Sequence, residues 1–201
     1  MNRFNEKSMK SYNEKADHYD ETFDGRFTLE FKHKLIDEIS VDRGAHVLDV
    51  ACGNGTLIKM LADRYGIIGY GTDISEKMIE NARRKNPGMF FETAGCESMP
   101  FQDRLFDIIT VCAAYHHFPD VKAFAAEAHR LLKTEGCLYI ADVYYSALVR
   151  FLCNPFVPLS KAGDVKFYSP KEIKRTFENS GFRMIDHNIS GHIQIAAFQK
   201  I

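Results

Sequence analysis

Apolar residues gather in short runs along the chain, and the stretches between them follow a different rhythm. Seven runs read as strands: 45–50, 67–72, 89–93, 106–112, 136–143, 182–188 and 192–199. Between them, apolar positions recur at helical spacing. Phe27, Phe31, Leu35 and Ile39 fall four residues apart, on one face of a helix expected over 27–39. Further helices are expected over 55–65, after a glycine pair, and over 75–85, opening at Ser75 as N-cap. The helix over 120–132 opens at Asp120 behind Pro119, and a turn at Thr134-Glu135-Gly136 closes that connection. The helix over 170–180 has the fullest signals: Ser169 as N-cap, Pro170 at the first helical position, Glu172 completing a capping box and Gly181 as the stop. Strands alternating with amphipathic helices predict a parallel sheet covered on both faces. The last two strands are separated only by a turn around Ser190-Gly191, so they form an antiparallel hairpin.

Two segments stand outside this alternation. Residues 1–26 carry several aromatics, and residues 144–167 hold Pro155 and Pro158 among Tyr144, Tyr145, Phe151, Phe156 and Phe167. Both are expected to cover the carboxyl ends of the strands, where ligands bind in open α/β sheets.

The remaining composition narrows the classes. At 201 residues, one domain spanning 1–201 is expected. A formal net charge of −1 supplies no global field for nucleic acid or anionic membrane. Apolar stretches fall short of a bilayer span, and the polar N-terminus lacks a signal-peptide core, so a cytoplasmic location is expected. Cys52, Cys96, Cys112, Cys137 and Cys153 are scattered without metal-type spacing and read as reduced thiols. Among eight histidines only His116 and His117 cluster. Adjacent side chains on a strand end point opposite ways, so no metal site is expected.

The motif with most chemical content is Val47-Leu48-Asp49-Val50-Ala51-Cys52-Gly53-Asn54-Gly55. A buried strand runs into a glycine turn and then a helix, and Gly53 and Gly55 allow a sharp bend with close approach to a ligand. Asp49, at the strand's carboxyl end, can accept hydrogen bonds from a ligand's ammonium or hydroxyl. The second strand ends in Gly71-Thr72-Asp73-Ile74, where an acid accepts from the hydroxyls of a ribose. The third glycine of a dinucleotide fingerprint is replaced by Ile58, which disfavours pyrophosphate and favours a nucleoside without phosphates.

These motifs resemble the class I S-adenosylmethionine-dependent methyltransferases, and within them the group that modifies small molecules and quinones. The similarity is carried by VLDVACGNG at 47–55, GTDIS at 71–75, CESMPFQDRLFDIITVCAAYHHF at 96–118, EAHRLLKTEGCLYIAD at 127–142 and FYSPKEIKRTFENSGF at 167–182. The resemblance implies S-adenosyl-L-methionine as cofactor, with Asp49, Ala51, Gly53, Asn54 and Gly55 around its methionine and ribose portion. It implies Asp73 on the ribose hydroxyls, Ile74 on the adenine face, Cys96 and Glu97 at the adenine edge, and Cys112 and Ala113 beside the sulfonium. Tyr12 and Tyr19 lie in a Tyr-Asp segment similar to one that closes over the cofactor in relatives. Gly95 stands where relatives usually carry an acid for the adenine amino group. The expected fold is a Rossmann-like, doubly wound, mostly parallel seven-stranded α/β sheet of order 3-2-1-4-5-7-6, its last strand antiparallel.

The acceptor implied is a small molecule, with neither nucleic acid nor a membrane span involved. His116 and His117 are the candidate catalytic bases should the acceptor have to lose a proton, with Tyr115, Tyr144 and Tyr145 as orienting groups. A nicotinamide-dependent oxidoreductase and a non-catalytic S-adenosylmethionine-binding protein are the alternatives.

Overall fold

The computed structural model describes residues 2–201. Its strands are β1 (His46–Val50), β2 (Ile68–Asp73), β3 (Phe90–Thr93), β4 (Phe106–Cys112), β5 (Leu132–Val143), β6 (Phe182–Ser190) and β7 (Ile193–Lys200). Among the described residues these seven form one sheet of order β3-β2-β1-β4-β5-β7-β6. The pairs β1–β2, β2–β3, β1–β4 and β4–β5 are parallel, whereas β7 runs antiparallel to both β5 and β6. Order and direction agree with the expectation.

The turn expected at 134–136 does not end the connection before β5. The strand already begins at Leu132, and the three residues form an irregularity within it. Glu135 takes a positive φ of 62°, and the pairing with β4 shifts register between Phe106 and Ile108. A Cβ on Gly136 would stand 3.0 Å from the Lys133 carbonyl and 3.1 Å from that of Asp107, so glycine lets the backbones close up around the bulge.

Helices α2 (Phe23–Glu38), α3 (Thr56–Tyr65) and α4 (Glu76–Lys85) cover one face, packing Phe31, Leu35, Leu57, Ile58, Leu61 and Ile79 against Val47, Ile108 and Ile195. Helices α5 (Val121–Leu131) and α7 (Pro170–Glu178) cover the other, where Phe124, Leu131, Ile173 and Phe177 meet Leu48, Ile109 and Phe198. Neighbours such as Val47 and Leu48 serve opposite faces, as the two-residue strand period requires. The capping box of α7 is formed, with Ser169 Oγ accepting from Glu172 N and Glu172 accepting from Ser169 N.

The N-terminal segment is more regular than its sequence foretells. Helix α1 (Arg3–Lys15) and a 3-10 turn at Ala16–Glu21 precede α2, which starts four residues earlier than expected. Residues 144–167 hold the short helix α6 (Ala147–Cys153) and a 3-10 turn at Val157–Leu159. The two segments meet: Lys7 Nζ donates to the carbonyls of Pro158 (3.2 Å) and Ser160 (3.1 Å), and Ser8 Oγ to that of Ala162 (3.0 Å). Toward the sheet, Asn13 Oδ1 accepts from Ser75 Oγ (2.6 Å), Asn81 donates to the Ala16 carbonyl (2.9 Å) and Asn54 to Asp20 (2.8 Å). Among the described residues, no helix is long and apolar enough to cross a membrane.

Candidate functional site

The carboxyl ends of β1, β2 and β4 open into a pocket of about 890 Å³, part of it shared with solvent. The chain leaves β1 through a loop in which Ala51, Gly53 and Gly55 all take positive φ, of 57°, 54° and 78°. Leaving β4, Ala113 does the same at 53°. Left-handed alanines at two strand ends are locally strained, and such strain gathers where the backbone must present itself to a ligand. The two glycines part company here. No atom of the described residues lies within 4 Å of a Cβ built on Gly53, which faces the pocket. A Cβ on Gly55 would lie 2.6 Å from Asn86 Nδ2 and 3.2 Å from Ala82 and Phe91, so Gly55 lets α3 pack rather than lining the pocket.

Two carboxylates sit at the strand ends. Asp73 is fixed by backbone donors, Gly53 N to Oδ2 (2.9 Å) and Ser75 N to Oδ1 (2.8 Å). Burial nevertheless raises it to about 6, against the lowering pull of those amides. Asp49 accepts from Thr110 Oγ1 at 2.8 Å, and burial pushes it to about 7. Facing them is a residue that the sequence reading passed over. Lys32 projects from α2 into the pocket, its Nζ bonded to Thr28 Oγ1 at 2.8 Å, and its charge draws Asp49 downward. Thr28 and Lys32 are one helical turn apart, a signal that becomes specific only once that face of α2 is known to look along the strand ends. The arrangement therefore offers a cation and two carboxylates within one largely apolar chamber.

Among the described residues, the lining includes Tyr12, Asp49, Ala51, Gly53, Asn54, Asp73, Ile74, Cys96, Cys112, Ala113 and His117, and Glu97, Gly55 and His116 stand outside it. Gly95, Ala94 and Met78 line the pocket as well. Tyr19 also lines the pocket, its ring centroid 6.2 Å from that of Tyr12. Of the suggested orienting tyrosines, Tyr115 is wholly buried among Phe118, Phe124 and Phe177, and Tyr145 packs on Phe167. These two and Tyr144 are outside the pocket lining.

The histidine pair requires a correction. His116 and His117 lie not on a strand end but in a 3-10 turn, Tyr115–His117, and their ring centroids are 4.2 Å apart. A strand would have sent them to opposite sides; the tight turn lays them side by side, so the geometric ground for expecting no metal fails. His117 Nε2 is 3.1 Å from the Tyr12 hydroxyl at the pocket wall. His116 points back, its Nδ1 2.6 Å from the buried Asp142. Burial and the neighbouring His116 hold His117 well below the ordinary imidazole range. For His116 burial acts in the same direction, but Asp142 and Asp164 outweigh it and raise the ring.

A family model described as a methyltransferase domain matches residues 48–140. Demethylmenaquinone methyltransferase of Chlorobaculum tepidum is 35% identical over 105 residues, covering 52% of this chain and 43% of that protein. The match thus spans less than half the length of that relative. Ubiquinone biosynthesis O-methyltransferase of Coxiella burnetii is 28% identical over 165 residues, covering 76% of this chain and 70% of that protein. The fold is shared with geranyl diphosphate C-methyltransferase from Streptomyces coelicolor, solved in complex with Mg2+, geranyl diphosphate and S-adenosyl-L-homocysteine. That likeness has a TM-score of 0.78 and 13% identity, covering 100% of this chain and 99% of the other.

Proposed function

For a chain whose residues 48–140 match a methyltransferase-domain model, we propose a class I S-adenosylmethionine-dependent methyltransferase that transfers a methyl group from S-adenosylmethionine to a small, partly apolar acceptor. The observation that carries this reading is the placement of Asp73, Asp49 and Lys32 in one chamber, with bare Gly53 backbone between the acids. Asp73 has both oxygens fixed by amides and its remaining acceptor capacity directed to ribose hydroxyls. Asp49 would take the ammonium and Lys32 the carboxylate of the amino-acid end. Ile74 and Met78 would flank the adenine, with the Cys96 backbone at its edge, because Gly95 has no side chain to offer. Cys112 and Ala113, at the end of β4, would stand beside the sulfonium.

When bound, S-adenosylmethionine supplies a methyl group already activated on sulfur. The protein's task is then to align the acceptor with the S–CH3 bond and to keep water out. In this reading Tyr12 and His117 form the polar edge that orients the acceptor, while Tyr19 and Phe118 supply apolar wall. Residues 2–26 and 144–167 act as the lid, a role supported by the hydrogen bonds that tie them to each other and to the strand-end loops; residue 1 of the expected segment lies outside the described residues. Aromatic acceptors related to quinones, named in the Chlorobaculum and Coxiella relatives, suit such walls, and a folded macromolecule does not.

The oxidoreductase alternative fares worse. Ile58 is fully buried and packs on Gly69, where a Cβ would stand 2.9 Å from its Cγ1, so a core side chain fills the position of the fingerprint's third glycine. Calorimetric titration with S-adenosylhomocysteine and with NADH separates the two. Stoichiometric binding of the first alone is expected, and binding of NADH alone would overturn the proposal. Turnover of labelled S-adenosylmethionine against a panel of phenols and quinones then identifies the acceptor.

A further inference from the structure

We propose that His116, His117 and Asp164 form a binding site for one divalent transition-metal ion. Asp164 Oδ1 stands 3.0 Å from His117 Nδ1 and 3.6 Å from His116 Nε2. The donor atoms of all three residues fall within 4.8 Å of one another. With metal bonds of about 2.0–2.2 Å, two ligands of one ion stand roughly 3.0–3.5 Å apart, so the His117–Asp164 pair already fits and His116 must move inward to complete the set.

The alignment of these groups is that of ligands rather than of hydrogen-bond partners. His117 Nδ1 is buried and, among the described residues, makes no hydrogen bond, although the Asp164 oxygen is only 3.0 Å away. The oxygen must therefore lie well off the axis of the ring nitrogen. Ligands around a shared ion do this necessarily, since the ion occupies the axis. The 3.6 Å separation from His116 Nε2 is likewise too long for a hydrogen bond.

The outer shell is also in place. His116 holds Asp142 through its other nitrogen at 2.6 Å, and His117 holds the Tyr12 hydroxyl through its own at 3.1 Å. Metal-binding imidazoles are oriented in this way, by a carboxylate or other polar group on the nitrogen that does not coordinate. The loop bearing Asp164 is registered on the turn, because Val165 N donates to the His116 carbonyl at 2.8 Å. Two imidazoles and one carboxylate suit zinc, cobalt, nickel or ferrous ions, and not magnesium or calcium, which prefer all-oxygen sites. Asp164, 20% exposed against 12% for each histidine, gives the ion its way in. A bound ion would fasten the 3-10 turn to the 160–168 loop and, through Tyr12, to α1.

The test uses tag-free protein stripped with chelator, titrated with Co2+ by visible absorption and with Zn2+ by calorimetry. One ion per chain is expected, with affinity falling at least about 100-fold in His117→Ala and in Asp164→Ala. Asp142→Asn, which leaves the ligands in place, should cost about 10–100-fold. Absence of saturable binding, or binding undiminished in Asp164→Ala, overturns the site. Should those variants fail to fold, zinc-edge X-ray absorption of the wild-type protein decides: two imidazoles with oxygen support it, and a sulfur shell overturns it by placing the ion on cysteines.

Discussion

At the scale of single residues, the two strand-end acids lead to separate experiments. Asp73→Ala removes charged acceptors from the proposed ribose site and should weaken S-adenosylhomocysteine binding by roughly 1.5–3 kcal/mol. Calorimetry of a normally folded variant checks this, and unchanged affinity would mean that the ribose is held elsewhere. Asp49 makes the binding pH-dependent. Its carboxyl is raised to about 7 in the ligand-free pocket by burial, with Asp73 adding to the rise and Thr110 and Lys32 opposing it. An ammonium beside it would lower that value, so binding expels a proton at pH values between the lowered value and about 7. Affinity should therefore strengthen as pH rises from 5 toward 7 and level off above, by up to about tenfold per unit. Proton release, seen as a buffer-dependent binding enthalpy at pH 6, should accompany it; a flat profile would remove Asp49 from the ammonium site. Asp49, Gly53 and Asp73 were legible in the sequence because each belongs to a short strand-turn unit whose geometry is local. Lys32 was not, since only packing decides which face of α2 meets the strand ends, and the strand-end geometry expected for His116-His117 gives way to a 3-10 turn that hydrophobic periodicity does not announce.

The elements tell a similar story. The strands, and the helices between them, announced themselves through periodicity, and β5 was shortened only because Glu135-Gly136 looks like a turn when its bulge partner on β4 is unseen. Helix α1 gave no such sign. Its sequence, RFNEKSMKSYNEK, has too few apolar residues to form a stripe, and its order comes from polar contacts with residues more than sixty positions away. Because α1 and the following 3-10 turn add nothing to the sheet, deleting residues 1–20 should leave the strand content intact by circular dichroism. It should abolish turnover and loosen cofactor binding; a truncated protein that methylates at the full rate would end the lid reading. Gly25 offers a subtler probe. A Cβ there would lie 2.0 Å from the Tyr19 carbonyl oxygen, so Gly25→Ala should cost roughly 1–3 kcal/mol by overpacking. Hydrogen exchange should locate the loss in residues 3–30, with the β1 and β4 amides as protected as before.

For the molecule as a whole, a sheet buried by helices on both faces leaves its carboxyl edge as the natural place for a ligand, and ligand binding should register as global stability. Saturation at 100 times the dissociation constant adds about 2.7 kcal/mol. For a domain of this size that corresponds to a melting shift of about 5–10 °C with S-adenosylhomocysteine and none with NADH, measurable by scanning fluorimetry. Strand order has a consequence of another kind. The strand that lies between β5 and β6 is β7, which follows both of them in sequence. On the ribosome, synthesis is vectorial, so β1 to β5 can assemble while β7 is still unmade, and β6 waits without a neighbour. During that interval β5 presents Leu138, Ile140 and Ala141, all buried in the finished protein, along an unpaired edge of the kind that recruits foreign strands. A nascent chain arrested before residue 193 should accordingly be captured by chaperones or aggregate, and one released after residue 200 should not.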